Sequence, residues 1–169
     1  MPTEGAIAHQ TGVPVGVCTS EALMVPELAG RDPVAIINEL SHVLHREGCI
    51  PDLLAFYQGA LNHEMLGASL VGSGLVVPHS RLAGVRQLQF ALGRTPEPVV
   101  WNPGSESRVD IVFLVAVPAT ESTAYLHLMA GIARLGQVPG YLEALRRAPD
   151  AAAMLASLNG GGGLSVLGG

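Results

Sequence analysis

The feature that most constrains the fold is a nearly unbroken apolar run at residues 109–117, in which Asp110 is the single charged residue. A strand with one face in solvent alternates apolar and polar residues, and this run does not, so it predicts a central strand covered on both faces. Other strand and helix patterns interleave along the 169 residues. The sequence therefore predicts a single layered α/β domain, with a central mixed β-sheet flanked by helices on both faces.

Two helices are predicted in the first half of the chain. Asp32 followed by Pro33 is a typical helix N-terminus, since the carboxylate caps free N–H groups and proline suits the first helical position. Gly48 is a typical stop. A second helix opens at Asp52 and runs to about Glu64. Its expected apolar side consists of Leu53, Leu54, Tyr57 and Leu61.

The second half continues the alternation of elements. Residues 88–93 indicate a strand, and the two prolines of residues 95–98 indicate a loop. A helix follows over residues 121–135, and shorter helical segments over residues 140–147 and 150–158. The expected apolar face of the helix at 121–135 consists of Tyr125, Leu128, Met129, Ile132 and Leu135. The resulting organisation is an extended lead-in at 1–19, the domain at 20–158 and a flexible glycine-rich tail at 159–169.

Composition excludes several classes of function. The net charge is −5, aromatic residues make up 4%, and no basic cluster is present, so a nucleic-acid partner is not expected. No window approaches the roughly 20 apolar residues of a membrane span, and no signal peptide is recognisable, which favours a cytoplasmic protein without membrane insertion. Cys18 and Cys49 predict free thiols. No third ligand is spaced to join His42 and His45, so neither a metal nor a cofactor is expected.

The chemistry-bearing stretch is the sequence G-S-G-L-V-V-P-H-S-R at residues 72–81. Gly72 and Gly74 allow a tight turn into a short apolar strand, and Pro78 ends that strand because proline donates no ladder hydrogen bond. His79 then stands at a strand edge. Arg81 follows two residues later, and its guanidinium could face an anion held by His79. A neutral imidazole in such a place suits chemistry on a phosphate.

The same stretch carries a family resemblance. Residues 66–81, L-G-A-S-L-V-G-S-G-L-V-V-P-H-S-R, are similar to the pattern L-G-S-T-G-I-G-N-G-I-A-I-P-H-A-R. Glu64 matches a family glutamate just before it, and residues 91–97 and 109–118 match later motifs in order and spacing. Over roughly residues 20–158 the chain resembles the EIIA domain of the phosphoenolpyruvate-dependent sugar phosphotransferase system, in its mannitol/fructose/nitrogen-regulatory class.

The resemblance implies a phosphotransferase component. His79 would accept a phosphoryl group at Nε2 from the phosphohistidine of HPr and pass it to a cysteine of an EIIB domain for sugar uptake. A hydrogen bond from Nδ1–H to a carbonyl is expected to fix the tautomer. Two alternatives stay open: a nitrogen-type regulatory EIIA that binds its target according to phosphorylation state, and a non-catalytic interaction module with the same fold.

The departures from the pattern concern the supporting residues. Tyr125 stands where the family has a second histidine, and placing His127 there instead needs a two-residue insertion. Tyr125 could donate a neutral hydrogen bond to a phosphate, which Arg81 or the backbone of the turn at Gly72 and Gly74 could also hold. Glu64 is expected to assist the site indirectly, by anchoring Arg81. Each of these residues also has an interpretation without a functional role: Tyr125 as a core residue, Arg81 as a solvated loop residue and Glu64 as a solvated carboxylate at a helix end.

Overall fold

The chain forms three layers, a six-stranded sheet between two layers of helices, in a computed structural model that describes residues 15–67, 69–121 and 123–167, with side chains as far as residue 159. The strands are β1 (Met24–Val25), β2 (Leu70–Gly72), β3 (Leu75–Val76), β4 (His79–Leu82), β5 (Gln89–Val100) and β6 (Arg108–Pro118). The helices are α1 (Pro33–Arg46), α2 (Leu53–Leu66), α3 (Thr123–Leu135), α4 (Tyr141–Arg147) and α5 (Ala151–Leu167), with 3-10 turns at Val15–Cys18 and Glu21–Leu23.

Strand β6 is the centre of the sheet. The strand order is β1-β5-β6-β3-β2, and β4 also pairs with β6. β5 runs antiparallel to β6, whereas β3 and β4 run parallel to it and follow one another along the same edge. β1 is parallel to β5, and β2 is antiparallel to β3. The predicted mixed sheet is confirmed, and Pro78 divides β3 from β4 as expected.

The apolar run of β6 is buried on both faces of the sheet. Ile111, Phe113 and Val115 belong to a core formed with α3, α4 and α5. Val112 and Leu114 belong to a second core, formed with α1 and α2. Both sets are essentially inaccessible to solvent. The prediction of a central strand covered by helices on both sides is therefore confirmed, and the third layer explains why the run does not alternate.

Helix α2 meets the core partly as the sequence indicates, since Leu53, Tyr57 and Leu61 pack against it. Its buried residues are Phe56, Ala60 and Glu64, while Leu54 is 61% exposed. The reason is close packing on β4. A Cβ at Gly59 would lie 2.4 Å from the hydroxyl oxygen of Ser80. The helix therefore presents the small side of Gly59 and Ala60 to the sheet, which turns Leu54 outward.

The loop predicted at residues 95–98 is also wrong, because β5 continues through it to Val100. The pairing register of β5 and β6 shifts between Arg94 and Val99, so the two prolines fall where ladder bonds are not required. Helix α1 agrees with its prediction: Asp32 accepts a hydrogen bond from the Ala35 N–H at 2.8 Å, and Gly48 has φ 77°.

The chain ends differ in part from the predicted organisation. Most of the lead-in, residues 1–14, lies outside the described residues, but Val15–Cys18 forms a 3-10 turn whose Val15 and Cys18 are buried in a core. Helix α5 extends to Leu167 and covers most of the segment expected to be a tail. Its first half is fixed by burial of Met154 and Leu158. Among the described helices, none is long and apolar enough to cross a bilayer.

Candidate functional site

His79 is the first residue of β4 and is half-buried. The Val115 N–H donates to the Pro78 carbonyl at 2.9 Å, which sets His79 opposite Val115 in the register with β6. Successive side chains on a strand point to opposite faces. Ser80 is buried against α2, so His79 and Arg81 share the other face of the strand. The geometry of the core strand therefore decides where the imidazole lies.

Tyr125, in the first turn of α3, lies against His79. Its hydroxyl oxygen is 3.2 Å from Nδ1 of His79, and the two ring centroids are 5.1 Å apart. The expected partner of Nδ1 was a backbone carbonyl; the structure places a tyrosine hydroxyl there instead. Because Nδ1 faces Tyr125, Nε2 on the other side of the ring is free of this contact. Among the described contacts, His127 makes none with His79, which supports the alignment that places Tyr125 at this position.

A third aromatic ring, that of His63, completes the cluster. His63 lies in the last turn of α2 and is exposed, and its ring centroid is 4.8 Å from that of His79 at an interplanar angle of 33°. From the sequence alone, no role was predicted for His63. In the sequence, the one hint of a role for His63 is that it precedes Glu64. Its contact with His79 becomes visible only in the structure, where α2 packs on β4.

The environment of His79 keeps its imidazole neutral. Burial, the neighbouring His63 ring and the Arg81 guanidinium lower the pKa of His79 from 6.5 to about 4. Burial raises the pKa of the Tyr125 hydroxyl, with Arg81 acting in the opposite direction. Near neutral pH the pair is therefore an uncharged imidazole beside an uncharged phenol. Such an imidazole offers one nitrogen lone pair for nucleophilic attack.

Arg81, which was expected to face an anion on His79, instead forms hydrogen bonds with backbone carbonyls. Its Nη1 donates to the Pro118 carbonyl at 3.1 Å and also to the Glu121 carbonyl. Its Cζ stands 5.6 Å above the centre of the Tyr125 ring, within cation–π range. The guanidinium thus ties the segment between β6 and α3 to β4 and holds Tyr125 in place. It remains exposed to solvent.

Glu64 does not anchor Arg81, and it is not a solvated helix-end carboxylate. Its side chain is buried, with 9% exposure. It accepts hydrogen bonds from the indole N–H of Trp101 at 2.7 Å and from the Ser69 hydroxyl at 2.7 Å. A buried carboxylate needs such donors, because without them its desolvation is very costly. Glu64 therefore joins the end of α2 to the sheet rather than serving the site directly.

The glycine turn forms as predicted but lies away from His79. Gly72 and Gly74 have φ 107° and 85°, which L-residues with side chains rarely adopt. Leu75, next to the turn, pairs with Ile111, whereas His79 pairs with Val115. These positions are four residues apart, about 13 Å along β6. The turn is held by the ion pair of Arg146 and Asp110 (2.6 Å), so its N–H groups are not placed to hold a phosphate on His79.

The other histidines give no second site. His42 on α1 contacts the Asn38 carbonyl through Nδ1 at 2.9 Å, and His45 is exposed on the same helix. Within the described ranges, no group of three or more histidine, cysteine, aspartate or glutamate side chains is placed to hold a metal ion. The cluster of His79, Tyr125, Arg81 and His63 is therefore the candidate functional site.

Comparison with solved structures identifies the class of fold. Nitrogen regulatory protein IIA-Ntr from Neisseria meningitidis is similar with a TM-score of 0.77 and 24% identity, covering 85% of this chain and 98% of that chain. IIA mannitol from Escherichia coli is similar with a TM-score of 0.67 and 14% identity, covering 82% and 97%. The architecture is therefore the α/β fold of EIIA proteins.

The sequence itself matches a family more specifically. The profile of the family described as phosphoenolpyruvate-dependent sugar phosphotransferase system, EIIA 2, matches residues 19–160, and the chain belongs to this family. A nitrogen regulatory protein of Pseudomonas aeruginosa is 26% identical over 70% of this chain and 77% of its own length. The 2-O-alpha-mannosyl-D-glycerate-specific EIIABC component of E. coli is 33% identical over 57% of this chain, which spans only 15% of that protein.

Proposed function

We propose that the protein is a phosphoryl carrier that accepts a phosphoryl group from phospho-HPr on Nε2 of His79 and passes it to an EIIB partner. The observation that carries this proposal is the state of His79. It is a neutral imidazole whose Nδ1 is held by the Tyr125 hydroxyl at 3.2 Å, so that Nε2 remains for reaction. Phosphoryl transfer depends mainly on such positioning and on charge stabilisation.

The transfer step follows from this arrangement. The reactive tautomer is the one in which Nδ1–H of His79 donates to the Tyr125 oxygen, because it leaves the lone pair on Nε2. That lone pair attacks phosphorus as the P–N bond of the donor phosphohistidine breaks, and the electron pair of that bond returns to the donor imidazole. The proton on Nδ1 stays on His79 throughout. The next step reverses the roles, with a thiolate of the acceptor attacking phosphorus and Nε2 leaving.

The nature of the acceptor rests on the relatives. One solved structure of this fold is a complex of enzyme IIAMtl with phosphorylated enzyme IIBMtl from E. coli, with a TM-score of 0.70, 14% identity and coverage of 83% of this chain and 96% of that one. Fructose-specific and mannosylglycerate-specific EIIABC components also match. These relatives support an EIIB partner and a role in sugar uptake.

A regulatory role is the second candidate, and one observation favours it. The chain spans 77% and 68% of the nitrogen regulatory proteins of P. aeruginosa and Bradyrhizobium diazoefficiens, with 26% and 30% identity. In this role the same phosphorylation of His79 would select the bound partner. Pull-downs with phosphorylated and unphosphorylated protein separate the two roles, since a regulator exchanges partners and a transport component captures an EIIB.

The acceptor assignment is tested by incubating the chain with labelled phosphoenolpyruvate, enzyme I and HPr. We expect an acid-labile, base-stable phosphate on the wild-type chain and on His45→Ala, and none on His79→Ala. His45 is a suitable control because it is an exposed helical histidine remote from the cluster. Label that persists on His79→Ala, or its absence from the wild type, contradicts the assignment.

A further inference from the structure

His63 is the one member of the cluster whose side chain is not committed to another contact. Within the described residues its ring forms no hydrogen bond, and it is exposed at the end of α2 with its centroid 4.8 Å from that of His79. Arg81 already donates to two carbonyls and lies over the Tyr125 ring. His63 can therefore reorient toward a group on Nε2 at little cost in existing contacts.

The charge balance around His79 changes when it is phosphorylated. In the resting protein, His79 is neutral, and a positive charge on His63 would add to that of Arg81 near His79, with no carboxylate in this cluster of four residues to offset it. Glu64, the acid next to His63, is turned toward Trp101 and Ser69. A phosphoryl group brings nearly two negative charges, so the same place then favours a cation that donates hydrogen bonds. Tyr125 supplies no charge.

We propose that His63 takes up a proton when His79 is phosphorylated and donates a charge-assisted hydrogen bond to the phosphoryl oxygens. The proposal rests on the proposed function of His79. The ring of His63 lies against His79 on β4, and His79 lies in turn against Tyr125 on α3, whose ring is covered by Arg81 on β4. Phosphorylation of this chain is then linked to pH through a residue other than the acceptor: a lower pH favours the phosphorylated state.

The test compares the phosphorylation equilibrium of variants against HPr from pH 6.0 to pH 8.5. His63→Gln keeps a hydrogen-bond donor but never a charge, and His63→Arg keeps the charge at every pH. His45→Gln is the matched control on another helix. Because the pH dependence of HPr is common to all reactions, it cancels in the ratio of wild type to variant. Thermal melting of each variant shows that folding is intact.

We expect the equilibrium constant of the wild type to exceed that of His63→Gln about tenfold at pH 6.0, and this ratio to fall toward one as the pH is raised to 8.5. His63→Arg should exceed His63→Gln throughout, and His45→Gln should match the wild type. A ratio that does not change with pH, or an arginine variant no better than glutamine, overturns the proposal, because either indicates that His63 only packs against His79.

Failure of the proposed function gives a different result. If HPr does not phosphorylate the wild-type chain at all, the carrier role is wrong irrespective of His63. The chain can then be phosphorylated chemically with potassium phosphoramidate, and the ³¹P shift of the phosphohistidine followed over the same pH range. A titration in the wild type that His63→Gln lacks supports the role of His63; identical curves overturn it.

Discussion

The Tyr125 hydroxyl lies 3.2 Å from Nδ1 of His79, and the Arg81 guanidinium lies over the face of the tyrosine ring. The first turn of α3 thus orients the histidine at the start of β4. A phenol can orient an imidazole as well as a second histidine can, but it cannot become a cation near neutral pH. Under the proposed function, the orienting role therefore belongs to Tyr125 and the charge must come from other residues.

Removing the hydroxyl tests the orienting role. Tyr125→Phe keeps the ring that Arg81 covers and deletes only the contact to Nδ1. Loss of a hydrogen bond worth about 1 kcal/mol should lower the rate of phosphorylation about fivefold, with little change in melting temperature. ¹⁵N spectra of the histidine ring should show a shift away from a single tautomer. An unchanged rate together with an unchanged tautomer would show that the contact has no orienting function.

Introducing a histidine tests the non-catalytic alternative. We expect Tyr125→His to change the extent of phosphorylation by less than about twofold, because Arg81 already places a positive charge near His79 and, under the proposal above, His63 gains one when His79 is phosphorylated. The measurement is the labelled phosphate bound at equilibrium with HPr. A large gain, starting from a wild type that is scarcely phosphorylated, would instead indicate an interaction module whose transfer site is impaired.

The lowered pKa of His79, about 4, predicts the direction of a stability change with pH. The unfolded chain, with a histidine pKa near 6.5, binds a proton that the folded chain rejects between these values, so stability falls as pH decreases from about 6.5 to about 4. The loss should be on the order of 2 kcal/mol, because solvent reaches part of the ring. Urea unfolding at pH 7 and pH 4.5 should show it in the wild type and a smaller loss in His79→Gln.

Glu64 is predicted to act through stability. Glu64→Ala leaves the Trp101 indole and Ser69 without their acceptor, which should lower the free energy of unfolding by about 2–3 kcal/mol. Glu64→Gln, which keeps one acceptor oxygen, should cost less. Phosphorylation of His79 should survive in both variants at temperatures where they remain folded. A folded variant that has lost phosphorylation would place Glu64 in the site itself.

The contact of α2 with β4 predicts that the effect of Gly59→Ala on stability changes sign with the residue at position 80. Gly59→Ala puts a methyl group 2.4 Å from the Ser80 hydroxyl oxygen and should destabilise the protein by about 1–3 kcal/mol. In a Ser80→Ala background that oxygen is gone, and the same Gly59→Ala change should stabilise the helix by up to about 1 kcal/mol. The measurement is chemical denaturation of the wild type, the two single variants and the double variant, which together form a double-mutant cycle. Equal effects in both backgrounds would show that the close approach is not tight in solution.

The sheet and its main helices were predictable because their signals are local. The apolar run of β6 and the Asp32 cap of α1 each depend on neighbours in sequence. The exposure of Leu54 on α2 was not predictable, because the close approach of Gly59 to Ser80 sets the rotation of the helix. The same limit applies to the site. The position of Tyr125 followed from spacing, but the contacts of His63 and Glu64 depend on how α2 settles on the sheet.

The register of β4 on β6 makes the site an all-or-none property of the fold. His79 and Ser80 are adjacent and point to opposite faces, so a slip of one residue would exchange them and bury an imidazole against Gly59. Substitutions in the distant core should therefore reduce the number of competent molecules in a sample, while each molecule that folds reacts at the full rate.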